Sequence, residues 1–286
     1  MSDRANPASG ILTRIRGFFA ERLKRPPTVA VVSLHGVIAA GSRMGGGSIN
    51  DQTVAPMIEK AFAKKGVKAV ALKINSPGGS PAQSALIASR IRRLSAEKDI
   101  PVYVFCEDVA ASGGYWLACA ADEIYVEATT IIGSIGVIYA GFGFHELIGR
   151  YGVERRVHTA GTRKSMLDPF KPEDPADIGR LTELQRDLHD IFITYVKDRR
   201  GARLTHEDPF NGDVWVGQKA VDAGIADHVG HLVDVMKERY GDTVKFQAFT
   251  PSRSLFQKLG LAGGAAFAGE IADALEARAH WARFGL

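Results

Sequence analysis

The chain is short of several things, and each shortage excludes something. It has two cysteines, Cys106 and Cys119, in 286 residues. That is too few for the disulfide framework of an extracellular domain or for a zinc site, and both sit in apolar context as buried thiols would. Long apolar runs are also missing. The longest stretch without a charge, Ala128 to Phe144, is seventeen residues. It is rich in glycine and β-branched residues, which suits buried strands and turns better than a spanning helix. No signal-peptide core stands near the N-terminus, so the chain is expected to be made and kept in the cytoplasm, with at most a peripheral place on the inner membrane. There is no GxxxxGK[ST] and no HExxH pattern, so no nucleotide, metal or other cofactor is expected. A strongly signed charge is lacking as well. Lys and Arg number 36 against 32 Asp and Glu. The whole excess lies in residues 1–27, where Arg4, Arg14, Arg16, Arg22, Lys24 and Arg25 face only Asp3 and Glu21. The rest is neutral overall, which gives no footprint for nucleic acid.

What is present falls into three parts: an arm at 1–27, a globular region at 28–249 and a C-terminal helical extension at 250–286. In residues 11–25, Ile11, Leu12, Ile15, Phe18, Phe19 and Leu23 recur at helical spacing among basic residues. A basic amphipathic helix of this kind can lie on an anionic membrane surface; the alternative is docking on its own domain or on a partner subunit. From Thr28 onward, strands alternate with helices. A strand starts at Thr28, a helix runs from about Asn50 to Lys65, a strand from Val67 to Ile74, a helix from Pro81 to Lys98 and a strand from Pro101 to Phe105. Such alternation predicts parallel βα units in an α/β core. Further on, the pattern predicts strands at Glu123–Val126, Val153–His158 and Thr243–Phe249. Helices are predicted at 174–200 and 232–240, and a last one near 265–283. The 174–200 helix carries an apolar stripe of Ile178, Leu181, Leu184, Leu188, Ile191, Phe192 and Tyr195, which fits core packing or an oligomer contact.

Three stretches carry candidate chemistry. In DVAASGGYW, Ser112 stands where a strand gives way to a helix. Its hydroxyl can point into a cleft, and Gly113 and Gly114 let a carbonyl approach the backbone. The ordinary reading of such a serine is a helix N-cap. In NSPGG, Gly78 and Gly79 follow a strand directly, and their N–H groups are open enough to serve as oxyanion donors; a tight turn would use the same glycines. In GTRKSMLDPF, Lys164 follows a Gly-Thr turn, and a loop lysine is ordinarily a solvated charge. Ser134, between glycines in IGSIGV, is either a core-facing hydroxyl or a helper near the site.

Taken together and in this order, NSPGG at 75–79, DVAASGGYW at 108–116, IGSIGV at 132–137 and GTRKSMLDPF at 161–170 resemble the signal peptide peptidase A family of serine proteases. GQKAVDAGIAD at 217–227 is similar to that family's pattern too. The resemblance extends over residues 28–245. It implies a Clp protease/crotonase-like spiral of repeated ββα units and a Ser/Lys dyad, with Ser112 as nucleophile and Lys164 as general base. It further implies Gly79 and Gly113 as oxyanion donors, with Ser134 holding the lysine amine. A serine hydroxyl is a poor nucleophile until a base takes its proton, and lysine can do so only as the free amine. The resemblance therefore implies a desolvated Lys164 in the assembled enzyme and a rate that rises toward alkaline pH. The expected substrates are peptides, such as cleaved signal peptides or membrane-derived fragments, and the expected partner is a homo-oligomeric ring whose subunits complete one another's sites. Typical members carry an N-terminal membrane anchor, where this chain has only the basic arm. Three alternatives stand beside this: a histidine base (His145 or His158), a crotonase-like acyl-CoA enzyme, and a non-catalytic ring scaffold.

Overall fold

The computed structural model describes residues 26–40, 48–250 and 278–286. The expected arm helix at 11–25 and most of the helix near 265–283 lie outside these residues; residues 278–282 are helical. The sheet is built from β1 (Thr28–His35), β2 (Val67–Ser76), β3 (Val102–Ala111), β4 (Glu123–Val126), β5 (Ile131–Gly133), β6 (Val214–Val216), β7 (His228–Val229) and β8 (Lys245–Phe249). The helices are α1 (Asp51–Ala63), α2 (Pro81–Lys98), α3 (Gly113–Ala118), α4 (His145–Arg150), α5 (Pro175–Arg200), α6 (Gln218–Asp222) and α7 (Leu232–Tyr240). The strand order is β6-β5-β3-β2-β1-β8, and all neighbours are parallel except β5 and β6. Parallel strands need crossovers, and α1 and α2 supply the first two.

β3 is the branch point. Its first half, Tyr103–Cys106, pairs with β4, which passes the pairing on to β7; its last residues, Val109–Ala111, pair with β5. One strand thus carries two branches of the same sheet. The division is made possible by a register shift against β2: Ile74 faces Cys106, but Ser76 faces Ala110. Two extra residues of β3 are accommodated there, a bulge that bends the strand.

Local chemistry explains the helices. Asn50 Oδ1 caps α1 by accepting from Thr53 N at 3.0 Å. Ser80 caps α2 ahead of Pro81, whose fixed φ suits the first turn, and Asp99 closes that helix in the left-handed region. Val54, Met57, Ile58, Ile87 and Ile91 bury against the face of the sheet that carries Leu34, Leu72, Ile74 and Val104. On the opposite face, α7 lays Leu232 and Met236 over Val29, Ala71, Phe105 and Tyr125. With both faces covered, the central strands read as near-continuous apolar runs, as parallel strands do.

Two expectations change. The strand at Pro101–Phe105 runs on to Ala111, because charged Glu107 and Asp108 mark the bulge and not the strand's end. The stretch Val153–His158 forms no strand and is exposed throughout. Its β-branched residues favour extended backbone, but no strand among the described residues lies alongside to satisfy its N–H and C=O groups, and an unpaired strand is not stable alone. It lies instead in an arm that folds on itself: Phe144 N donates to Pro169 O at 2.6 Å, Phe144 packs on Phe170, and Arg155 lies over Phe170 at 4.7 Å while its Nε stands 3.2 Å from Asp168 Oδ2.

Candidate active site

Ser112 closes β3 and opens α3. Its backbone is at φ 52°, ψ −119°, a region L-residues rarely occupy, so the turn is strained. The ordinary N-cap role is absent, since the side chain makes no capping hydrogen bond to α3. The backbone is held on both sides: Ser112 N donates to Gly133 O at 2.8 Å, and its carbonyl accepts from Trp116 N at 3.0 Å. Every residue from Val109 to Ala121 is buried except Ser112. The hydroxyl is thus the one side chain of this stretch left open, and it makes no hydrogen bond among the described residues.

The NSPGG turn lies directly on the Ser112 turn. A Cβ at Gly78 would stand 2.8 Å from both Ala111 O and Ser112 Cβ, so only glycine allows this approach. Gly79, at φ 133°, is fixed by Ile38, which donates from its N to Gly78 O at 2.8 Å and accepts from Ser80 N at 2.7 Å. A Cβ there would drive into Ile38 O. The position a Gly113 Cβ would take lies 3.4 Å from Gly79 N, which brings the two glycines together. Neither the Gly79 nor the Gly113 N–H donates to any group among the described residues. Two unengaged N–H groups beside an unengaged hydroxyl at a helix start are the elements a carbonyl under attack requires. The depression beside Ser112 is walled by Pro81, Trp116, Val137, Leu188 and Phe192, all apolar, with Trp116 stacked on Phe192 at 4.7 Å.

Ser134 follows Gly133, the residue that receives the Ser112 N–H. It is nearly buried at φ 53°, with its N bonded to Asp213 O at 2.7 Å, and its hydroxyl has no partner among the described residues. Lys164 is not brought to Ser112 within the single chain. It sits exposed on a turn, its N bonded to Gly161 O at 3.2 Å, and its amine has no ion pair or hydrogen bond among the described residues. His145 and His158, the alternative bases, do not line the Ser112 depression either. A histidine that sequence reasoning missed comes closer: His189 Nε2 on α5 stands 3.1 Å from Ile135 O, one residue past Ser134. Its only signal in the sequence was its place beside Leu188 on the apolar stripe. Burial pushes the Cys119 thiol up to about 11 and that of Cys106 higher still, so neither is a nucleophile at neutral pH. Among the described residues no cluster of His, Cys, Asp and Glu could hold a metal ion.

The helix after Ser112 is anchored from below. Tyr115 OH donates to Ile225 O at 3.0 Å, and Arg199 donates to Cys119 O at 2.8 Å and Ala121 O at 2.7 Å. Buried Arg200 donates to Gly224 O and pairs with Asp227 at 2.8 Å. Burial alone would raise the Asp227 carboxyl, but the hydrogen bond and charge of Arg200, the Ile124 N–H and Arg203 outweigh it and hold the group below the usual carboxylate range.

Comparison with known proteins follows from this geometry. A solved structure titled as a substituted form of the 1510-N membrane-bound stomatin-specific protease aligns over 80% of this chain and 100% of its own, with a TM-score of 0.50 at 17% identity. It shares the α/β fold, the Clp protease/crotonase-like class. The chain is 44% identical to a Brucella melitensis protein named Na(+)/H(+) antiporter NhaA, over 97% of this chain and 39% of that protein. It is 34% identical to Protease 4 of Haemophilus influenzae, over 76% of this chain and 35% of that one. The chain thus spans less than two-fifths of the length of either relative. No helix among the described residues is long and apolar enough to cross a membrane. The sequence model of peptidase family S49 matches residues 95–242, more than half of the chain and the span that holds Ser112, Ser134 and Lys164, and the chain belongs to that family.

Proposed function

We infer that this S49 peptidase is a serine endopeptidase that cleaves peptides through an acyl-enzyme on Ser112, with Lys164 as the base. The observation that carries the reading is the strained Ser112 turn with a free hydroxyl next to the unengaged Gly79 and Gly113 N–H groups. Ser112 Oγ attacks the scissile carbonyl carbon as the neutral Lys164 amine removes its proton. The carbonyl oxygen becomes an oxyanion held by the two N–H groups. The C–N bond then breaks, the lysine proton goes to the departing amine, and water repeats the sequence to free Ser112. Ser134 Oγ orients the lysine amine. The apolar walls of the depression suit small or apolar residues before the scissile bond, as in signal-peptide cores and membrane-derived fragments.

Lys164 lies on the exposed arm, so the dyad is completed by another subunit of a homo-oligomeric ring. Two features support this. No residue from Gly136 to Ile191 is buried in the single chain, and the α5 stripe leaves Leu184, Leu188 and Ile191 exposed. An exposed apolar surface of this kind marks a protein contact. In such a ring, residues 11–25 provide peripheral contact with an anionic membrane; equal liposome binding with and without residues 1–27 would refute that part.

The test is turnover of fluorogenic peptides by the full chain, by Ser112→Ala, by Lys164→Ala and by a mixture of the two variants. Both variants are expected to be inactive, and the mixture to regain part of the activity, since one variant supplies the serine and the other the lysine. Turnover by Ser112→Ala rejects the reading and brings the acyl-CoA alternative forward. An inert mixture rejects completion across subunits.

A further inference from the structure

Between the two turns that carry the site, the backbone ladder is interrupted. β2 and β3 are in register up to Ile74 and Cys106, and again from Ser76 and Ala110. In between, Asn75 alone faces Glu107, Asp108 and Val109. Its side chain fills the gap. Val109 N donates to Asn75 Oδ1 at 3.2 Å, and Asn75 Nδ2 donates to Asp108 Oδ2 at 2.6 Å. The amide orientation is unambiguous, because the Val109 N–H requires an oxygen and the Asp108 carboxylate requires a donor. The Asn75 carbonyl accepts from Gly36 N at 2.9 Å, tying the same residue to the end of β1.

We propose that Asn75 is a positioning residue, a side-chain staple across the bulge that sets the Gly79 N–H against Ser112. Gly79 lies four positions after Asn75, and Ser112 four positions after Asp108. Ser76 Oγ accepts from Gly78 N at 3.2 Å, and a Gly114 Cβ would stand 2.6 Å from Ser76 O, so a shift at the staple is transmitted directly to both turns. Oxyanion donors act only when aimed at where the charge develops, and displacing one costs on the order of 10²-fold in kcat. The proposal rests on the reading of Ser112 and Gly79 given above.

The test exchanges the two partners in the full chain. Asn75→Asp keeps an acceptor for Val109 N but sets two carboxylates against each other; the double variant Asn75→Asp with Asp108→Asn restores a donor–acceptor pair in reverse. With fluorogenic peptides, the single variant is expected to lose about tenfold or more in kcat at nearly constant KM, and the exchange to recover most of it. Asp108→Ala, at an exposed position that leaves the core untouched, is expected to show a smaller loss of the same kind. Unchanged kcat in Asn75→Asp, or an exchange no better than the single variant, overturns the staple. If Asn75→Asp fails to fold, unchanged kcat in Asp108→Ala overturns it. Ser112→Ala, run alongside, separates the two failures: persistent turnover there rejects the nucleophile, whereas an inert Ser112→Ala beside a fully active Asn75→Asp rejects the staple alone.

Discussion

Two stretches of the chain, both apolar, have opposite fates. From Val109 to Ala121 everything but Ser112 is buried, and the backbone is held by β5, by the NSPGG turn and by α5. From Gly136 to Ile191 nothing is buried, although the stretch contains Ile138, Tyr139, Phe142, Leu147, Tyr151, Leu184, Leu188 and Ile191. The first stretch is finished by its own chain; the second is shaped but uncovered. On the proposed reading, the difference makes the nucleophile and oxyanion donors a property of the subunit and puts the base on a surface left for a second subunit.

Perturbing each side should separate the two. The largest effect is expected on the uncovered side: Lys164→Ala should lower kcat by at least about 10³-fold, by the scale of triad deletions, with little change in melting temperature, since the side chain is exposed and its amine makes no ion pair or hydrogen bond among the described residues. A drop in melting temperature along with activity would mean that Lys164 supports the fold. On the finished side, Gly79→Ala should lower kcat by about 10²-fold or more and also lower the melting temperature, because its Cβ meets Ile38 O and its φ of 133° disfavours any side chain. Loss of activity without loss of stability would contradict the packing described here.

Arg200→Met should cost about 3–5 kcal/mol in urea unfolding, because it leaves Asp227 buried without its main partner. The pH dependence should change with it. In the native chain the Asp227 carboxyl is held low, so its contribution is complete above the ordinary value of about 3.9 and is lost as pH falls through the lower folded value. In the variant, burial dominates and raises the group, so acidification toward pH 4 should relieve part of the deficit. A deficit that does not vary with pH would remove the Asp227 charge from the account. Leu188→Ser, at an exposed position, should leave folding unchanged within about 0.5 kcal/mol, while sedimentation should show dissociation and turnover should fall with it. An unchanged oligomer would place the contact elsewhere.

The sequence made the finished side legible. Alternation and turn chemistry located β2, α2 and β4, and Ser112 and Gly79 stand together as the motif order implied. That side is specified by local rules: glycines where φ is positive and caps where helices begin. The uncovered side was misread where its structure depends on absent neighbours. Val153–His158 has strand composition but no strand to pair with. The α5 stripe fits core packing or an oligomer contact by its spacing, and with only Phe192 of its seven residues buried the core alternative does not hold for most of it. His189 carried no motif, since its approach to Ile135 arises from the tertiary placement of α5. The bulge in β3 was hidden because two charges inside a strand look like its end.

The branching of β3 has a consequence for when the enzyme is dangerous. β3 is paired with β2 on one side and with β4 and then β5 on the other, so the Ser112 turn it leads into sits on backbone expected to be among the last of the subunit to open. The arm at 136–173 buries none of its residues in the single chain, although Val137 walls the Ser112 depression. Under the reading proposed here, a newly made or dissociated subunit carries a complete nucleophile that is chemically an ordinary alcohol, harmless to its surroundings. On that reading proteolysis is tied to assembly, and a dilution that separates the subunits switches it off.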